Sequence, residues 1–300
     1  MVAEGGSPVN SEAVRIVAMG DLHADFAQAV KVLEAVGLVD AQHHWMGGRG
    51  ILVQTGDVMD RGADSHRLIR FLDGLRTEAR TVGGDVVPLL GNHEVMNLRG
   101  DWRYVEPSDI AQYGGHAERR ASLAPDGEDG KFLRSLPSVV RIDGTIFVHG
   151  GVHPDFADIP LEETNAAIRA AIDVPTRMHP SLGERGPLWY RGYLLDPEPA
   201  ACRRLTQALD QLEAERMVVG HTTQRDGVMR SRCDGRLYAI DVGIAGPYGH
   251  HAGALEIVGD AVTAMYVDPD GSVRRHTFET APEPVPAPAP VHEGALPAEP

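Results

Sequence analysis

The chain has 300 residues, 42% of them hydrophobic, which is enough to bury a sizeable core. Its 43 acidic residues outnumber its 28 basic residues, and the formal charge of −15 argues against nucleic acid as the main substrate. No apolar run approaches the length of a membrane span, and residues 1–11 lack the pattern of a signal peptide, so we expect a cytoplasmic protein with no membrane contact.

Cys202 and Cys233 are the two cysteines of the chain. They are too few and too far apart in the sequence for a disulfide framework or a thiolate metal site. We therefore expect free thiols in a reducing compartment.

Three apolar runs in the first hundred residues each end in a glycine that is followed by polar residues. Such runs are typical of buried strands, and open α/β sheets place their chemistry at the carboxyl ends of strands. We therefore expect one shared edge for three motifs: Gly20-Asp21-Leu22-His23 after residues 14–19, Gly56-Asp57-Val58-Met59-Asp60-Arg61-Gly62 after 51–55, and Gly91-Asn92-His93-Glu94 after 86–90.

The spacing of apolar residues between these runs predicts amphipathic helices. Phe26, Val30 and Leu33 form one stripe, and Asp64 can cap a second helix that continues through residue 75. Residues 42–49 are expected to form a loop. Because adjacent side chains point apart, solvated loop histidines are favoured over a metal pair at 43–44.

The later part of the chain predicts cover segments and further strands. Residues 100–136 and about 160–215 are expected to form helices and loops over the site, with helices at 161–172 and 198–214. Two more apolar runs are each followed by a histidine, His149 and His221, and short runs from 237 to 278 suggest antiparallel strands. This pattern predicts the α/β (α+β) class, as a two-sheet β-sandwich flanked by helices.

The composition divides the chain into three parts. Residues 1–13 are expected to be a flexible lead, and residues 14–280 one catalytic domain. Residues 281–300 contain seven prolines and neither lysine nor arginine, a composition that cannot build a core. We expect this tail to be a disordered linker or docking segment.

The ligand types at the strand ends indicate the metals. Carboxylate, imidazole and amide oxygen without thiolate suit Mn, Fe or Zn rather than a structural zinc. Taken singly, each of the three histidines at 23, 149 and 221 could be a core histidine. Five motifs in order favour a metal site. His153, His250 and His251 are near the motifs only in sequence, so a structural role is favoured for them.

These motifs resemble the series found in calcineurin-like metallophosphoesterases of the PPP type. Residues 95–105 and the later Pro187-Leu188-Trp189-Tyr190-Arg191-Gly192 resemble the Shewanella-like protein phosphatases within that group, and the likeness covers roughly residues 14–258. The resemblance implies the calcineurin-like fold and the hydrolysis of phosphate esters.

The resemblance also implies two metal ions, Mn, Fe or Zn. Asp21 and His23 would bind one ion, and Asn92, His149 and His221 the other. Asp57 would bridge both, because a carboxylate has two oxygens to share. A water held by both ions would lose a proton and attack phosphorus in line.

Further roles follow from the same resemblance. His93 resembles the general acid of the family, and Asp60 stands where the family orients that imidazole. Arg61 and Arg191 match positions whose guanidinium groups hold phosphate oxygens, and Asn92 is also expected beside the substrate. Without the resemblance, Asp60 and Arg61 could be a turn residue and its surface partner, and Arg191 could stack on the aromatics before it.

Other positions depart from the family or carry a structural expectation. Glu94 is expected to brace its loop rather than bind metal. Ala24 stands where the family usually has glycine, so close backbone approach is expected to tighten there. Residues 242–248 replace the eukaryotic Ser-Ala-Pro-Asn-Tyr loop, which implies a different substrate rim.

We therefore predict a phosphatase that acts on phosphotyrosine or on phosphoserine and phosphothreonine, in a phosphorylated protein or a small phosphoester. Two alternatives stay open: a dinucleoside polyphosphate hydrolase, and a non-enzymatic scaffold that binds phosphorylated partners. The sequence predicts no oligomeric state.

Overall fold

The computed structural model describes residues 13–174 and 179–279. The predicted lead, except for its last residue, and the predicted proline-rich tail lie outside this part of the chain. The strands of the described residues are β1 (Arg15–Met19), β2 (Ile51–Gln54), β3 (Asp85–Pro88), β4 (Val139–Ile142), β5 (Thr145–Val148), β6 (Arg216–Val219), β7 (Arg230–Arg232), β8 (Leu237–Ala239), β9 (Gly253–Val258), β10 (Ala261–Val267) and β11 (Val273–Thr277).

The helices of the same residues connect and cover these strands. They are α1 (Phe26–Ala35), α2 (Ser65–Thr81), α3 (Asn92–Leu98), α4 (Pro107–Gln112), α5 (His116–Leu123), α6 (Glu128–Ser135), α7 (Pro154–Ala157), α8 (Leu161–Ile172), α9 (Gly192–Leu195) and α10 (Glu198–Gln211), with short 3-10 turns at Pro180–Leu182 and Gly246–Tyr248.

The first sheet has the order β11-β10-β9-β1-β2-β3. Its strands β1, β2 and β3 are parallel, with Ile16 opposite Ile51 and Leu52 opposite Val86, while β9, β10 and β11 form an antiparallel meander. The carboxyl ends of β1, β2 and β3 therefore lie side by side, as the three glycine-terminated runs predicted.

The second sheet has the order β4-β5-β6-β8-β7. The prediction of antiparallel strands holds for β8 on one side only, because β8 pairs antiparallel with β7 but parallel with β6, with Tyr238 opposite Val218. Strand β7, which the sequence did not predict, is the edge strand and pairs antiparallel with β8. β8 therefore lies between β7 and β6. As a result, the carboxyl ends of β5, β6 and β8 also meet at one edge.

The sheets pack face to face, which confirms the predicted two-sheet sandwich. Alternate side chains of the second sheet point to opposite sides. Phe147, Val218 and Tyr238 join a core cluster that includes residues of the first sheet. Their neighbours Ile146 and Met217 join a second cluster, which includes Leu205, Ala208 and Leu209 of α10.

The expectation of free thiols was wrong, because Cys202 and Cys233 form a disulfide with Cα atoms 5.3 Å apart. Cys202 lies on α10, and Cys233 lies in the turn between β7 and β8. Their distance in the sequence does not measure their distance in space once that helix packs beside this hairpin. Since disulfides persist mainly in oxidising environments, the bond removes one support for a cytoplasmic location. Among the described residues, none of the helices combines the length and the hydrophobicity that a membrane span requires.

Candidate metal centre

The strand ends of both sheets open onto one cleft of about 270 Å³. The first sheet contributes Asp21 and His23 after β1, Asp57 after β2, and Asn92 and His93 at the start of α3. The second sheet contributes His221 after β6, with His149 after β5 directly behind Asn92 and Asp57. The six predicted metal ligands therefore lie close together, although they are distant in the chain.

Glycines at the strand ends allow this close approach. A Cβ atom at Gly91 would lie 2.2 Å from Oδ1 of Asp57, and one at Gly220 would lie 2.5 Å from Oδ1 of Asp21. Both distances are impossible for real side chains, so these two positions require glycine.

The residues of the site also adopt a backbone conformation that L-residues rarely adopt. Six of them have φ angles in the left-handed region: His23 (44°), Ala24 (56°), Asp57 (57°), Asp60 (70°), Arg61 (66°) and His221 (64°). Each costs roughly 1–2 kcal/mol relative to the right-handed conformation, and such residues cluster at functional sites. The left-handed backbone of Ala24 explains why glycine is favoured at this position.

His23 and Asp57 form the first potential cation site. The ring nitrogen Nδ1 of His23 lies 3.1 Å from the carbonyl oxygen of Met59, to which it can donate. The lone pair of Nε2 is then free, 3.8 Å from Oδ2 of Asp57 and 3.9 Å from Oδ2 of Asp21. Burial lowers the pKa of His23 to about 4, so the imidazole is neutral at physiological pH. A neutral imidazole is the form that binds metals.

His149 and His221 form the second potential site on the other side of Asp57. Nδ1 of His149 can donate to the carbonyl oxygen of Thr55 at 2.8 Å, which leaves Nε2 facing Oδ1 of Asn92 at 2.8 Å and Oδ1 of Asp57 at 3.3 Å. Nε2 of His221 is buried without a hydrogen-bond partner among the described residues. Burial, with the neighbouring His149, lowers the pKa of His221 to about 2.

These donors fit a pair of cations. Within each of two groups, His23–Asp57–His93 and Asp57–His149–His221, ligand atoms lie within 4.8 Å of one another, and Asp57 belongs to both. Burial, followed by the charges of Asp241 and Asp57, raises the pKa of Asp21 well above its usual value. Burial also opposes ionisation of Asp57, but the surrounding histidines, led by His149, hold its pKa well below the usual range. Cations would balance these crowded carboxylates and occupy the unpaired nitrogen lone pairs.

Glu94 braces the loop that carries Asp57, as expected. Its two carboxylate oxygens accept four backbone N–H bonds: from Asp57 at 2.8 Å, Val58 at 2.8 Å, Met59 at 3.0 Å and Gly91 at 2.8 Å. The side chain is fully buried. Burial, with the charge of Asp57, raises its pKa to about 7.

His93 lies at the start of α3 with Asp60 behind it. Nδ1 of His93 is 2.7 Å from Oδ2 of Asp60, and its backbone N–H donates to Oδ1 of Asp57 at 2.9 Å. The other nitrogen, Nε2, lies 3.8 Å from Oδ2 of Asp57. Burial lowers the pKa of His93, but the carboxylates of Asp57 and Asp60 outweigh burial and raise it to about 8. The ring can therefore hold two protons near neutral pH.

The two predicted phosphate-binding arginines have different surroundings. Arg191 lines the cleft, and its Nη1 donates to the carbonyl oxygen of His221 at 2.6 Å and to Oγ1 of Thr222 at 3.2 Å. Arg61 stacks on Tyr104, with its Cζ atom 3.9 Å from the ring centre, and is not among the residues that line the cleft. Tyr104 in turn packs against the ring of His93.

Sequence reasoning missed several residues of the cleft. Thr223, Arg225 and Tyr248 line it, and the ring of Tyr248 stacks on His23 with centroids 4.9 Å apart. Tyr248 belongs to the segment that was expected to form a different rim, and Arg225 belongs to the polar run after His221. The histidines that were expected to be solvated loop residues, His43 and His44, do not line the cleft. Neither do those for which a structural role was favoured, His153, His250 and His251.

The chain is similar in sequence to known phosphoesterases. The family model for calcineurin-like phosphoesterases matches residues 14–225. An uncharacterised protein of Schizosaccharomyces pombe is 38% identical over 255 residues, covering 81% of this chain and 76% of its own. Shewanella-like protein phosphatase 2 of Arabidopsis thaliana is 29% identical over 280 residues, covering 77% of this chain and 71% of its own.

A solved structure has the same fold. The crystal structure of a cold-active protein-tyrosine phosphatase from a psychrophilic Shewanella species matches with a TM-score of 0.75 and 26% identity, covering 89% of this chain and 81% of that one. Family match, sequence relatives, fold and clustered ligands agree, and the chain belongs to the calcineurin-like phosphoesterases.

Proposed function

We propose that this phosphoesterase removes phosphate from phosphorylated proteins, with phosphotyrosine as well as phosphoserine and phosphothreonine as substrates. The observation that carries the proposal is the shared position of Asp57 between two groups of buried histidines, beside the guanidinium of Arg191. Similarity to Shewanella-like phosphatases and to the Shewanella tyrosine phosphatase supports protein substrates.

In this proposal, Asp21 and His23 would hold one cation, and Asn92, His149 and His221 would hold the other. Asp57 would contribute to both sites, since its Oδ2 faces His23 and its Oδ1 faces His149. Imidazole and carboxylate ligands without thiolate favour Mn, Fe or Zn. When bound, such a pair of ions polarises phosphoryl oxygens and lowers the pKa of water.

The chain's own groups bind the substrate and move a proton. The guanidinium of Arg191 is positioned to bind phosphate oxygens in the cleft, and the amide of Asn92 adds a donor beside them. Arg61 would reach the phosphate by leaving the ring of Tyr104. Nε2 of His93 would give its proton to the leaving oxygen, while Nδ1 stays hydrogen-bonded to Asp60.

The extent and location of the catalytic unit are also proposals. The family match from residue 14 and the first sheet, which ends at Thr277, support one catalytic domain over residues 14–280. A cytoplasmic location stays a prediction; fractionation of the native organism would test it.

The function is tested with a substrate panel. Purified protein would be loaded with Mn(II), Fe(II) or Zn(II) and given phosphotyrosine, phosphoserine and phosphothreonine peptides, p-nitrophenyl phosphate and diadenosine tetraphosphate. We expect turnover of the phosphopeptides. Consumption of the dinucleotide alone would contradict the proposal in favour of a dinucleoside polyphosphate hydrolase, and bound metal without any turnover would favour a scaffold.

Variants test the assigned residues. Asp57→Asn is expected to abolish turnover, and His93→Asn to lower kcat more than it raises KM, because a proton donor acts in the transition state. Matched controls are Asp260→Asn, whose side chain is 97% exposed, and His44→Asn, whose side chain is 67% exposed. Unchanged kcat in His93→Asn would remove His93 from the proposed role.

A further inference from the structure

A buried chain of polar side chains continues behind Asp60, away from the cleft. Nδ2 of Asn97 donates to Oδ1 of Asp60 at 2.9 Å, and Nη2 of Arg119 donates to Oδ1 of Asn97 at 2.8 Å. Asp60 and Arg119 are completely buried, and Asn97 is 2% exposed. These hydrogen-bonded side chains therefore link α5, in the predicted cover segment, to the imidazole of His93.

The donor and acceptor roles along this chain follow from its members. An arginine can only donate, so the side-chain oxygen of Asn97 must face Arg119. The amide nitrogen of Asn97 then faces the opposite way and donates its two hydrogens to Oδ1 of Asp60 and to the carbonyl oxygen of His93, each oxygen 2.9 Å from Nδ2. Asp60 is left with Oδ2 to accept from Nδ1 of His93.

The spacing of residues along α3 places Asn97 next to His93. Asn97 follows His93 by four residues on α3, so both side chains lie on the same face of the helix. Without Asn97, Oδ1 of Asp60 would lose its hydrogen bond, and the carboxylate could turn about its Cβ–Cγ bond. One donor thus fixes both the carboxylate and the ring it orients.

Arg119 is itself held from the other side. Its Nε donates to Oδ2 of Asp109 at 3.2 Å, and its guanidinium lies over the rings of Trp102 at 4.7 Å and Tyr113 at 5.3 Å. The buried carboxylate of Asp109 pairs with the buried guanidinium and offsets the cost of burying its charge. The Arg119 side chain is thereby fixed in place, with Nη2 directed at the Asn97 amide oxygen.

We infer that Asn97, oriented by Arg119, is a positioning residue that aligns Asp60 and thereby aims Nε2 of His93 at the leaving oxygen of the substrate. The inference rests on the proposed role of His93 as proton donor. Neither Asn97 nor Arg119 is among the residues that line the cleft, so their effect on the reaction passes through Asp60 and His93.

The kinetic test compares leaving groups in the Mn-loaded enzyme. The leaving group of a phosphoserine peptide is the serine alkoxide, which is strongly basic and needs a proton. The leaving group of p-nitrophenyl phosphate is p-nitrophenolate, which is a stable anion. Asn97→Ala is expected to lower kcat roughly 10- to 100-fold for the peptide, with KM within about two-fold, and by less than about three-fold for p-nitrophenyl phosphate. In a His93→Asn background, the same change should alter kcat by less than about two-fold.

The matched control is Asn165→Ala. Asn165 is also buried, and its side chain makes three backbone hydrogen bonds to Ser138 and Val139 at the start of β4, outside the cleft. Asn165→Ala should lower the free energy of unfolding, and any change in kcat should be the same for both substrates. Equal losses of kcat on both substrates in Asn97→Ala, or multiplicative losses in the double variant, would overturn the inference and leave a structural role.

A spectroscopic measurement separates this inference from the proposed function. In the diamagnetic Zn-loaded protein with 15N-labelled histidine, the Nδ1 proton of His93 should exchange slowly with water and shift strongly downfield. Asn97→Ala should weaken that signal or speed its exchange, and Asn165→Ala should leave it unchanged. If the native enzyme hydrolyses neither ester, the proposed function fails, while an unchanged Nδ1 signal in Asn97→Ala would overturn the positioning itself.

Discussion

Replacement of Glu94 by glutamine tests how the loop of the metal centre is held. At pH 8, above its pKa of about 7, the Glu94 carboxylate is ionised and accepts four backbone N–H bonds. In Glu94→Gln, an NH2 group replaces one oxygen. Two of the four backbone donors then lose their acceptor and face another donor instead.

The cost can be worked from these contacts. Each buried donor left unpaired costs about 1–3 kcal/mol, so the variant should lose roughly 2–6 kcal/mol of unfolding free energy. This is a large fraction of the roughly 5–15 kcal/mol that stabilises a typical domain. Because Asp57 and Gly91 both donate to the same oxygen, the loop carrying Asp57 should also shift, and turnover should fall at least about ten-fold.

The assay is urea unfolding followed by circular dichroism at pH 8, with and without Mn(II). Glu78→Gln is the matched control, because Glu78 also accepts a backbone N–H, from Trp45 at 2.8 Å, but its side chain is 41% exposed. Its loss should cost less than about 1 kcal/mol, since water can replace an exposed acceptor. Equal unfolding midpoints for Glu94→Gln and the native protein would refute the bracing role.

Three further predictions concern the rim, the disulfide and the left-handed turn. Arg225→Met should raise KM for phosphopeptides roughly three- to ten-fold at low salt with kcat within about two-fold, because an exposed guanidinium at the cleft attracts anionic substrate; the control Arg185→Met should change neither value. Replacing Cys202 and Cys233 together by alanine should lower the unfolding free energy by about 3–4 kcal/mol, as expected for a crosslink across 31 residues, and equal stability of the two proteins under oxidising conditions would contradict this. Ala24→Val should destabilise the protein by more than about 2 kcal/mol in thermal unfolding while Ala24→Gly stays within about 1 kcal/mol, because a β-branched residue tolerates the left-handed backbone least.

The convergence of the candidate ligand side chains could be predicted because their signals are local. An apolar run that ends in glycine shows where a strand ends, and parallel strands bring their ends together whatever the length of the chain between them. Asp21, Asp57, Asn92, His149 and His221 each follow such a run, so their convergence could be predicted. The helix over residues 161–172 was predicted for the same reason, since its apolar spacing is local.

Other features depend on packing between distant segments. The disulfide forms because α10 packs beside the β7–β8 hairpin, and the sequence separation of its cysteines gives no hint of this. The contact between Asn97 and Arg119 requires α5 to pack against α3. The sequence of the cover segment did not show which of its residues would face α3. To predict that β8 pairs parallel with β6, one would have to know that β7 is the edge strand of the sheet.

The position of Arg61 shows the limit of transferring a role by motif. The motif places Arg61 directly after Asp60, yet its guanidinium lies on the ring of Tyr104. The choice between that ring and a phosphate depends on what occupies the cleft, because stacking and ion pairing compete for the same group. Sequence spacing carries no information about this competition.

Metal stoichiometry tests the central claim most directly. Purified protein would be saturated with Mn(II), freed of excess ion and analysed by inductively coupled plasma mass spectrometry, alongside His23→Ala, His221→Ala and Asp57→Asn. A pair of sites that share Asp57 predicts about two ions per chain in the native protein, about one in each histidine variant, and less than one in Asp57→Asn. About one ion in the native protein, or two ions retained in Asp57→Asn, would contradict a shared dinuclear centre.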